Sequence, residues 1–284
     1  MPSVVIDGIK TEYDVIGSGS PLLMFAPGGF DASMDKWSNL GVYAKIKLLD
    51  HLPASYSCII FDRRETGKSG GRVQRITWAD YVAQGKGLLD HLGYKAAHLM
   101  GGCMGCCPVA AFATMYPEMV LSMVQYWPVG GAGFRMNASR RFSIHLAYVE
   151  EHGLDGVVKL ARTTTEGFGK DPRIGPWGPV IRSDDDFADQ YARHDLTNYK
   201  LVIAGLARTL VDRDTAPGAE PEDLMQLNIP TLIIPGRDAA HSMSAARYLE
   251  ECCSGAEYWD VLPDQQTEET APARILEFLG KVPA

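Results

Sequence analysis

Short apolar runs alternate along this chain with segments that have helical spacing. SCIIFD ends at Asp62, and the runs AAHLMGG and PTLIIPG both end in glycine. Between such runs, ITWADYVAQGKGLLDHLGY has the spacing of an amphipathic helix, with Thr77 as the predicted N-cap and Gly93 as the stop. Strands that alternate with helices predict an α/β fold with a mostly parallel sheet covered on both faces.

The alternation is interrupted between residues 131 and 222. This stretch contains the helical patterns RRFSIHLAYVEEHG and YKLVIAGLARTLVD and the Gly/Pro-rich GFGKDPRIGPWGP, but no strand pattern. We therefore expect residues 131–222 to form a helical lid, inserted into a core made of residues 1–130 and 223–284. The lid should cover the carboxyl edge of the sheet, where open α/β sheets bind ligands.

Net charge, the length of apolar runs and the spacing of cysteines limit the partners and the cellular location that we expect for this protein. The net charge of −8 argues against nucleic acid as a partner, because phosphate binding requires a basic patch. The chain has no apolar run of membrane-spanning length and no cleavage signature at its start, so we expect a cytoplasmic protein with no membrane partner. Cys103, Cys106 and Cys107 crowd together, as do Cys252 and Cys253, which favours reduced thiols over a disulfide framework.

The segment MGGCMGCCPVA contains the pattern G-x-C-x-G over residues 101–105, between a predicted strand and a predicted helix. This is the pattern of a nucleophile elbow with cysteine in the place of serine. The nucleophile sits on a tight turn, its neighbours must be small, and the helix start directs backbone N–H groups at the site. The pattern predicts Cys103 as a nucleophile, and the alternative is a glycine-rich turn without chemistry.

With the elbow, the segments APGGF, FDRRETGKSG, IPTLIIPGRD and APARILEFL make the whole chain resemble the α/β-hydrolase fold family of the lid-bearing type. The resemblance implies an eight-stranded, mostly parallel sheet. It implies an oxyanion hole formed by the backbone N–H of Met104 and that of Gly29 or Phe30. It also implies that Asp238 is the catalytic acid, and the alternative is a turn or cap residue.

The chain departs from this family where the catalytic histidine is expected. Gln265 and Gln266 occupy that segment, and no histidine follows His241. A glutamine cannot accept and return a proton at neutral pH. His241, three residues after Asp238, is the predicted base. His145 and His194 of the lid are alternatives, and a thiol can also ionise without a histidine.

Cys103 and Cys106 also form a C-x-x-C pair. A thioredoxin-like site places such a pair at a helix start, whereas a zinc site requires a second pair with matching spacing. Cys252 and Cys253 are adjacent rather than spaced. We therefore predict no metal and no cofactor, and interpret Cys106 and Cys107 as small buried residues.

The sequence thus favours a cofactor-independent hydrolase with Cys103 as nucleophile. Its predicted substrate is a small, aromatic or cyclic carbonyl compound with an ester, lactone, thioester or activated C–C ketone bond. Trp127 and Trp177 are the predicted substrate-binding residues of the lid region. Two alternatives stay open: a lyase or isomerase on the same fold, and a non-catalytic ligand-binding protein. A homodimer is also left open.

Overall fold

A computed structural model describes residues 1–282 of the 284-residue chain. Eight strands form one sheet in the order β1-β2-β4-β3-β5-β6-β7-β8. The strands are β1 (Ser3–Ile6), β2 (Ile9–Ile16), β3 (Ser20–Phe25), β4 (Tyr56–Phe61), β5 (Ala97–Gly102), β6 (Val120–Tyr126), β7 (Thr231–Ile234) and β8 (Glu257–Tyr258). β2 pairs antiparallel with β1 and with β4, and all other pairings are parallel. The predicted mostly parallel, eight-stranded sheet is confirmed.

Twelve α-helices within the described residues accompany the sheet. Seven lie outside the lid segment: α1 (Lys36–Asn39), α2 (Gly41–Ile46), α3 (Leu48–His51), α4 (Trp78–Leu92), α5 (Cys106–Met115), α11 (Met243–Cys252) and α12 (Thr270–Gly280). α4 begins and ends where the sequence predicts: Thr77 and Asp80 form a capping box, and Gly93 ends the helix at φ 78°.

The remaining helices all lie between β6 and β7. They are α6 (Gly131–Thr163), α7 (Gly178–Ser183), α8 (Asp185–Ala192), α9 (Leu196–Leu210) and α10 (Pro221–Leu224). α6 is interrupted at Gly153, which has φ 64° and ψ −178°. No strand occurs among these residues, as expected for the helical insertion. Within residues 1–282, no helix is both long enough and apolar enough to cross a membrane.

Alternating residues of the central strands face two apolar layers. Leu23 and Phe25 of β3 pack into one cluster together with α5 and α11, while Leu22 and Met24 pack into the other together with α12. A strand buried on both faces is expected where helices cover both sides of a parallel sheet. The difference from the prediction is at β8, where only two residues of EYWDVL pair with β7. Because β3, β5, β6 and β7 pair parallel, their carboxyl ends meet at one edge of the sheet.

Candidate active site

Cys103 occupies the turn that joins β5 to α5. Its backbone has φ 53°, a left-handed conformation that is strained for a residue with a side chain, and residues Cys103–Gly105 form a single 3-10 turn before the helix. A Cβ at Gly105 would overlap the carbonyl of Phe25, and one at Gly101 would overlap the backbone of Cys106. The glycines thus allow strand and helix to approach closely and leave Cys103 at the tip, as the elbow pattern predicts.

His241 lies in the loop after β7 and is hydrogen-bonded to Asp238. Its Nδ1 donates to the carboxylate, with both oxygens at 2.9 Å. One carboxylate oxygen also accepts the backbone N–H groups of Ala240 at 2.8 Å and His241 at 2.9 Å. The carboxylate therefore sets the ring orientation and the tautomer, and leaves Nε2 on the opposite side of the ring.

The loop that carries His241 is attached to the segment after β6. The N–H of Gly130 donates to the carbonyl of Ala240 at 3.1 Å, and the hydroxyl of Ser242 donates to the carbonyl of Gly130 at 3.0 Å. The Trp127 ring packs against the imidazole of His241, with centroids 5.4 Å apart. These contacts hold the loop at the carboxyl edge of the sheet, where the elbow also lies.

Cys103 and His241 perturb each other's protonation. Burial by itself would raise the pKa of the Cys103 thiol, but hydrogen bonding and charge attraction with His241 outweigh it, so this pKa lies below its ordinary value. Burial would lower the pKa of His241, yet Cys103 and Asp238 raise it to about 9. The buried Nε2 of His241 has no hydrogen-bond partner of regular geometry within residues 1–282. Each of the two groups therefore stabilises the charged form of the other.

Two backbone N–H groups also stabilise the thiolate. Those of Gly28 and Met104 interact with the Cys103 sulfur and lower its pKa. Gly28 has φ 117° and directly precedes a short 3-10 helix over Gly29–Asp31. The sequence reasoning missed Gly28 as a donor to the sulfur, and the oxyanion hole formed by Met104 with Gly29 or Phe30 stays a prediction. The sequence signal for this donor was the pair Gly28-Gly29, because a turn with two consecutive positive φ values requires glycine.

Gln266 is fully buried at the position where the family has its histidine. Its Oε1 accepts from the Tyr126 hydroxyl at 2.9 Å and from the Trp127 indole at 2.7 Å, and its Nε2 donates to the carbonyl of Pro235 at 3.0 Å. Gln265 is exposed and accepts from the backbone of Leu262. Gln266 therefore joins three segments near the site and has no free capacity for proton transfer.

The histidines of the lid differ sharply from His241. His145 is fully buried, its Nδ1 donates to the carbonyl of Arg173 at 3.0 Å, and its Nε2 accepts from the Tyr199 hydroxyl at 2.6 Å. Burial lowers the pKa of His145 to about 4, so the ring stays neutral. His194 is exposed. Neither ring is positioned in this structure as His241 is, with one nitrogen oriented and the other free.

The two tryptophans predicted to bind substrate have other surroundings. Trp177 is fully buried in the lid between Tyr191 and Tyr199, and its indole donates to the carbonyl of Arg72 at 3.0 Å. Its predicted role is corrected accordingly: with no accessible surface, Trp177 stabilises the lid. Trp127 is half-buried and contacts His241 and Gln266, and its role in substrate binding stays a prediction.

The remaining elbow cysteines are inert thiols. Cys106 and Cys107 are both buried, and burial raises the pKa of each well above the ordinary value. The sulfur of Cys106 donates to the carbonyls of Gly101 and Tyr126. All six cysteines are free, and no group of Cys, His, Asp or Glu among the described residues has a metal-binding arrangement.

Aromatic packing joins the lid to the glycine turn beside Cys103. The Phe30 ring meets Phe142 and Phe168 edge to face, with centroids 5.3 Å from each. The carboxylate of Asp31 accepts the backbone N–H groups of Phe168 and Gly169 from the lid. Beside this junction is an open cavity of about 850 Å³ that reaches Gly28, the residue whose N–H interacts with the Cys103 sulfur.

Comparison with known proteins agrees with this architecture. Residues 21–125 match the sequence family described as alpha/beta hydrolase fold. The chain is 30% identical over 125 residues to the dihydrolipoyllysine-residue acetyltransferase component of the acetoin cleaving system of Cupriavidus necator, covering 44% of this chain and 31% of that protein. It is 34% identical over 123 residues to 2-hydroxy-6-oxo-6-phenylhexa-2,4-dienoate hydrolase of Comamonas testosteroni, covering 43% and 41%. The matches therefore span less than half of either relative.

The likeness to solved structures covers nearly the whole chain. The enol-lactonase from Burkholderia xenovorans superimposes with a TM-score of 0.62 at 17% identity, over 98% of this chain and 100% of that one. At this identity the similarity concerns the fold alone. Together with the sheet order and the matched segment, it shows that the chain has the α/β-hydrolase fold.

Proposed function

We propose that this protein is a hydrolase that uses Cys103 as its nucleophile, His241 as its acid and base, and Asp238 to orient His241. The proposed substrate is a small, aromatic or cyclic carbonyl compound with an ester, lactone, thioester or activated C–C ketone bond. The observation that carries the proposal is the line of groups from Asp238 through His241 to Cys103, with one imidazole nitrogen bonded to the carboxylate and the other free.

In the first half of the reaction, the Cys103 thiolate attacks the carbonyl carbon. The electron pair of the C=O bond moves to oxygen, where backbone N–H groups from Met104 and the glycine turn stabilise the negative charge. The tetrahedral intermediate collapses and expels the leaving group, which takes the proton from Nε2 of His241. The products of this half are a Cys103 thioester, a neutral imidazole and the released alcohol, thiol or carbon acid.

In the second half, water cleaves the thioester. Once the sulfur is acylated, the thiolate no longer raises the pKa of His241, so this pKa falls and the neutral ring, which is able to accept a proton, becomes easier to form. His241 takes a proton from water as the oxygen attacks the carbonyl carbon. Collapse of this second intermediate expels the thiolate, releases the carboxylic acid product and leaves the imidazolium, which restores the starting pair.

A comparison supports the choice of substrate class. The Comamonas testosteroni relative is by name a hydrolase of a phenyl-substituted oxo-dienoate, and its matched region is similar to this chain. The same elbow would serve ester and C–C cleavage, because both begin with attack on a carbonyl carbon.

Covalent trapping tests the nucleophile. Incubation with an activated aryl ester and rapid acid quench should add the acyl mass to the peptide that contains Cys103, and Cys103→Ala should abolish both the adduct and turnover. Cys106→Ala is the matched control and should retain the adduct. Turnover in heavy-oxygen water should place the label in the acid product. An unlabelled product would indicate a lyase or isomerase, and absence of any adduct or turnover would indicate a ligand-binding protein.

A further inference from the structure

A buried arginine lies beside the glycine turn and has no assigned role. Arg63 follows β4 and is 2% exposed. Its Nη2 donates to the carbonyl of Gly29, but Nε and Nη1 are buried and have no hydrogen-bond partner within residues 1–282. Leaving such donors unsatisfied is costly, and more so for a charged group. A ligand that supplied the acceptor would remove this cost.

The surroundings of Arg63 place its charge near the reactive elbow. The guanidinium carbon lies 4.4 Å from the centre of the Tyr81 ring, and its charge acts on the thiol of Cys107, in the first turn of α5. Tyr81 and Cys107 belong to the same apolar cluster as Met104, which follows the nucleophile. Arg63 is therefore surrounded by the glycine turn, α4 and the start of α5.

The acidic residues nearby do not satisfy Arg63. Glu65 accepts from Nε of Arg64 at 2.9 Å, and Asp80 accepts from Nη1 of Arg64 at 3.3 Å. Arg64 therefore engages both carboxylates, although one of its own nitrogens, Nη2, is also unpartnered. Among residues 1–282, the acceptor that Arg63 finds is a single backbone carbonyl in the glycine turn.

The cavity that reaches Gly28 has a matching charge. Its lining includes the four cationic side chains Lys36, Arg141, Lys170 and Arg182, against the two acidic ones Asp31 and Glu166. Lys36 and Lys170 form ion pairs with neighbouring acids, whereas no ion pair of Arg141 occurs in the described part of the chain. A positively charged cavity on a chain of net charge −8 would attract an anion.

We propose that the substrate carries a carboxylate and that Arg63 binds this group beside the reacting carbonyl, an inference that rests on the proposed function of Cys103. A single carboxylate suits the site better than a phosphate, because one guanidinium is available and Glu65 and Asp80 lie close by. The basic cavity lining increases the local concentration of the anion, and the buried guanidinium selects it.

A matched pair of esters tests this assignment. Mono-p-nitrophenyl glutarate carries a free carboxylate, and its methyl ester is the neutral counterpart. The wild type should prefer the charged ester in kcat/KM, and Arg63→Met should reduce that preference about 10- to 100-fold, as expected for a lost hydrogen bond to a charged group. Arg140→Gln, which removes an exposed charge next to Arg141, is the control and should keep the preference. An unchanged preference in Arg63→Met would overturn the proposal.

A binding measurement on the wild type is independent of turnover and of the variant's folding. Glutarate should slow iodoacetamide labelling of Cys103, whereas neutral glutaramide at the same concentration should not. Equal protection by both compounds, or stronger protection by inorganic phosphate, would overturn the carboxylate assignment. If glutarate protects but no ester is hydrolysed, the proposed function fails and the anion site stands. If esters are hydrolysed but the charged ester is not preferred, the proposed function stands and the anion site fails.

Discussion

The loops that follow β7 and β8 both place a polar side chain beside the same tryptophan, but with opposite consequences. After β7, His241 bonds to Asp238 through one nitrogen and keeps the other free near Cys103. After β8, Gln266 uses its oxygen for Tyr126 and Trp127 and its nitrogen for Pro235. A side chain whose hydrogen bonds are all made by the protein stabilises structure, whereas one with a free group next to a nucleophile is available for chemistry.

The two loops also divide the roles differently from what the resemblance implies. The family places its acid after the seventh strand and its histidine after the eighth, whereas in this chain the β7 loop carries both Asp238 and His241. The short spacing allows the carboxylate to bind the backbone N–H and the ring of His241 together. Gln266 fills the position after β8 and orients Trp127, which in turn contacts His241.

Among variants of the two loops, His241→Ala is expected to have the largest effect on catalysis. Loss of the general acid and base should reduce kcat about 10²- to 10⁴-fold in steady-state assays with an aryl ester. Cys103 alkylation should remain measurable, because a thiol ionises without assistance at high pH. Full activity in His241→Ala, combined with loss in His145→Ala or His194→Ala, would instead assign the base to the lid.

A smaller loss is expected from Asp238→Asn. The asparagine retains one acceptor oxygen but not the charge that helps to raise the pKa of His241. Removing a charged hydrogen bond should lower kcat about 10- to 100-fold. Asp264→Asn, at an exposed position in the other loop, is the control and should leave kcat unchanged. Equal rates for the two variants would remove Asp238 from the catalytic machinery.

Gln266→Ala should affect stability more than catalysis. The change leaves the Trp127 indole and the Tyr126 hydroxyl without their acceptor, so the free energy of unfolding should fall by about 2–4 kcal/mol in urea denaturation. Gln265→Ala, at the exposed neighbour, should change it by less than about 0.5 kcal/mol. A Gln266→Ala protein that is as stable as the wild type yet as inactive as His241→Ala would mean that Gln266 takes part in the chemistry.

The smallest expected effect is a shift in the pH midpoint of Cys103 alkylation. Cys103 alkylation should increase with pH around a midpoint below the ordinary cysteine value, because His241 lowers the pKa of the thiol. In His241→Ala the attraction is lost while burial remains, so the midpoint should move upward. Rates of iodoacetamide labelling, measured across pH by mass spectrometry, give both midpoints, and coincident midpoints would contradict the thiolate–imidazolium pair.

Local sequence patterns were sufficient to predict those features of the structure that depend on residues close together in the sequence. The capping box that starts α4, the positive φ of Cys103 and the glycines beside it all follow from short-range sterics and hydrogen bonds. Trp177 was misjudged because an aromatic residue in a lid pattern is equally compatible with a pocket wall and with a packed core. Its burial between Tyr191 and Tyr199 depends on helices that are separated in sequence.

By itself, the sequence determined the alternation of strands and helices, the cysteine at the elbow and the absence of any histidine after His241. Only the tertiary structure distinguished His241 from His145. The residue type is the same, but His145 has both ring nitrogens satisfied inside the lid, whereas the loop of His241 is held by Gly130 and Trp127 with Nε2 free. The reactivity of an imidazole depends on which atoms surround it, and in this protein the packing of distant segments supplies those atoms.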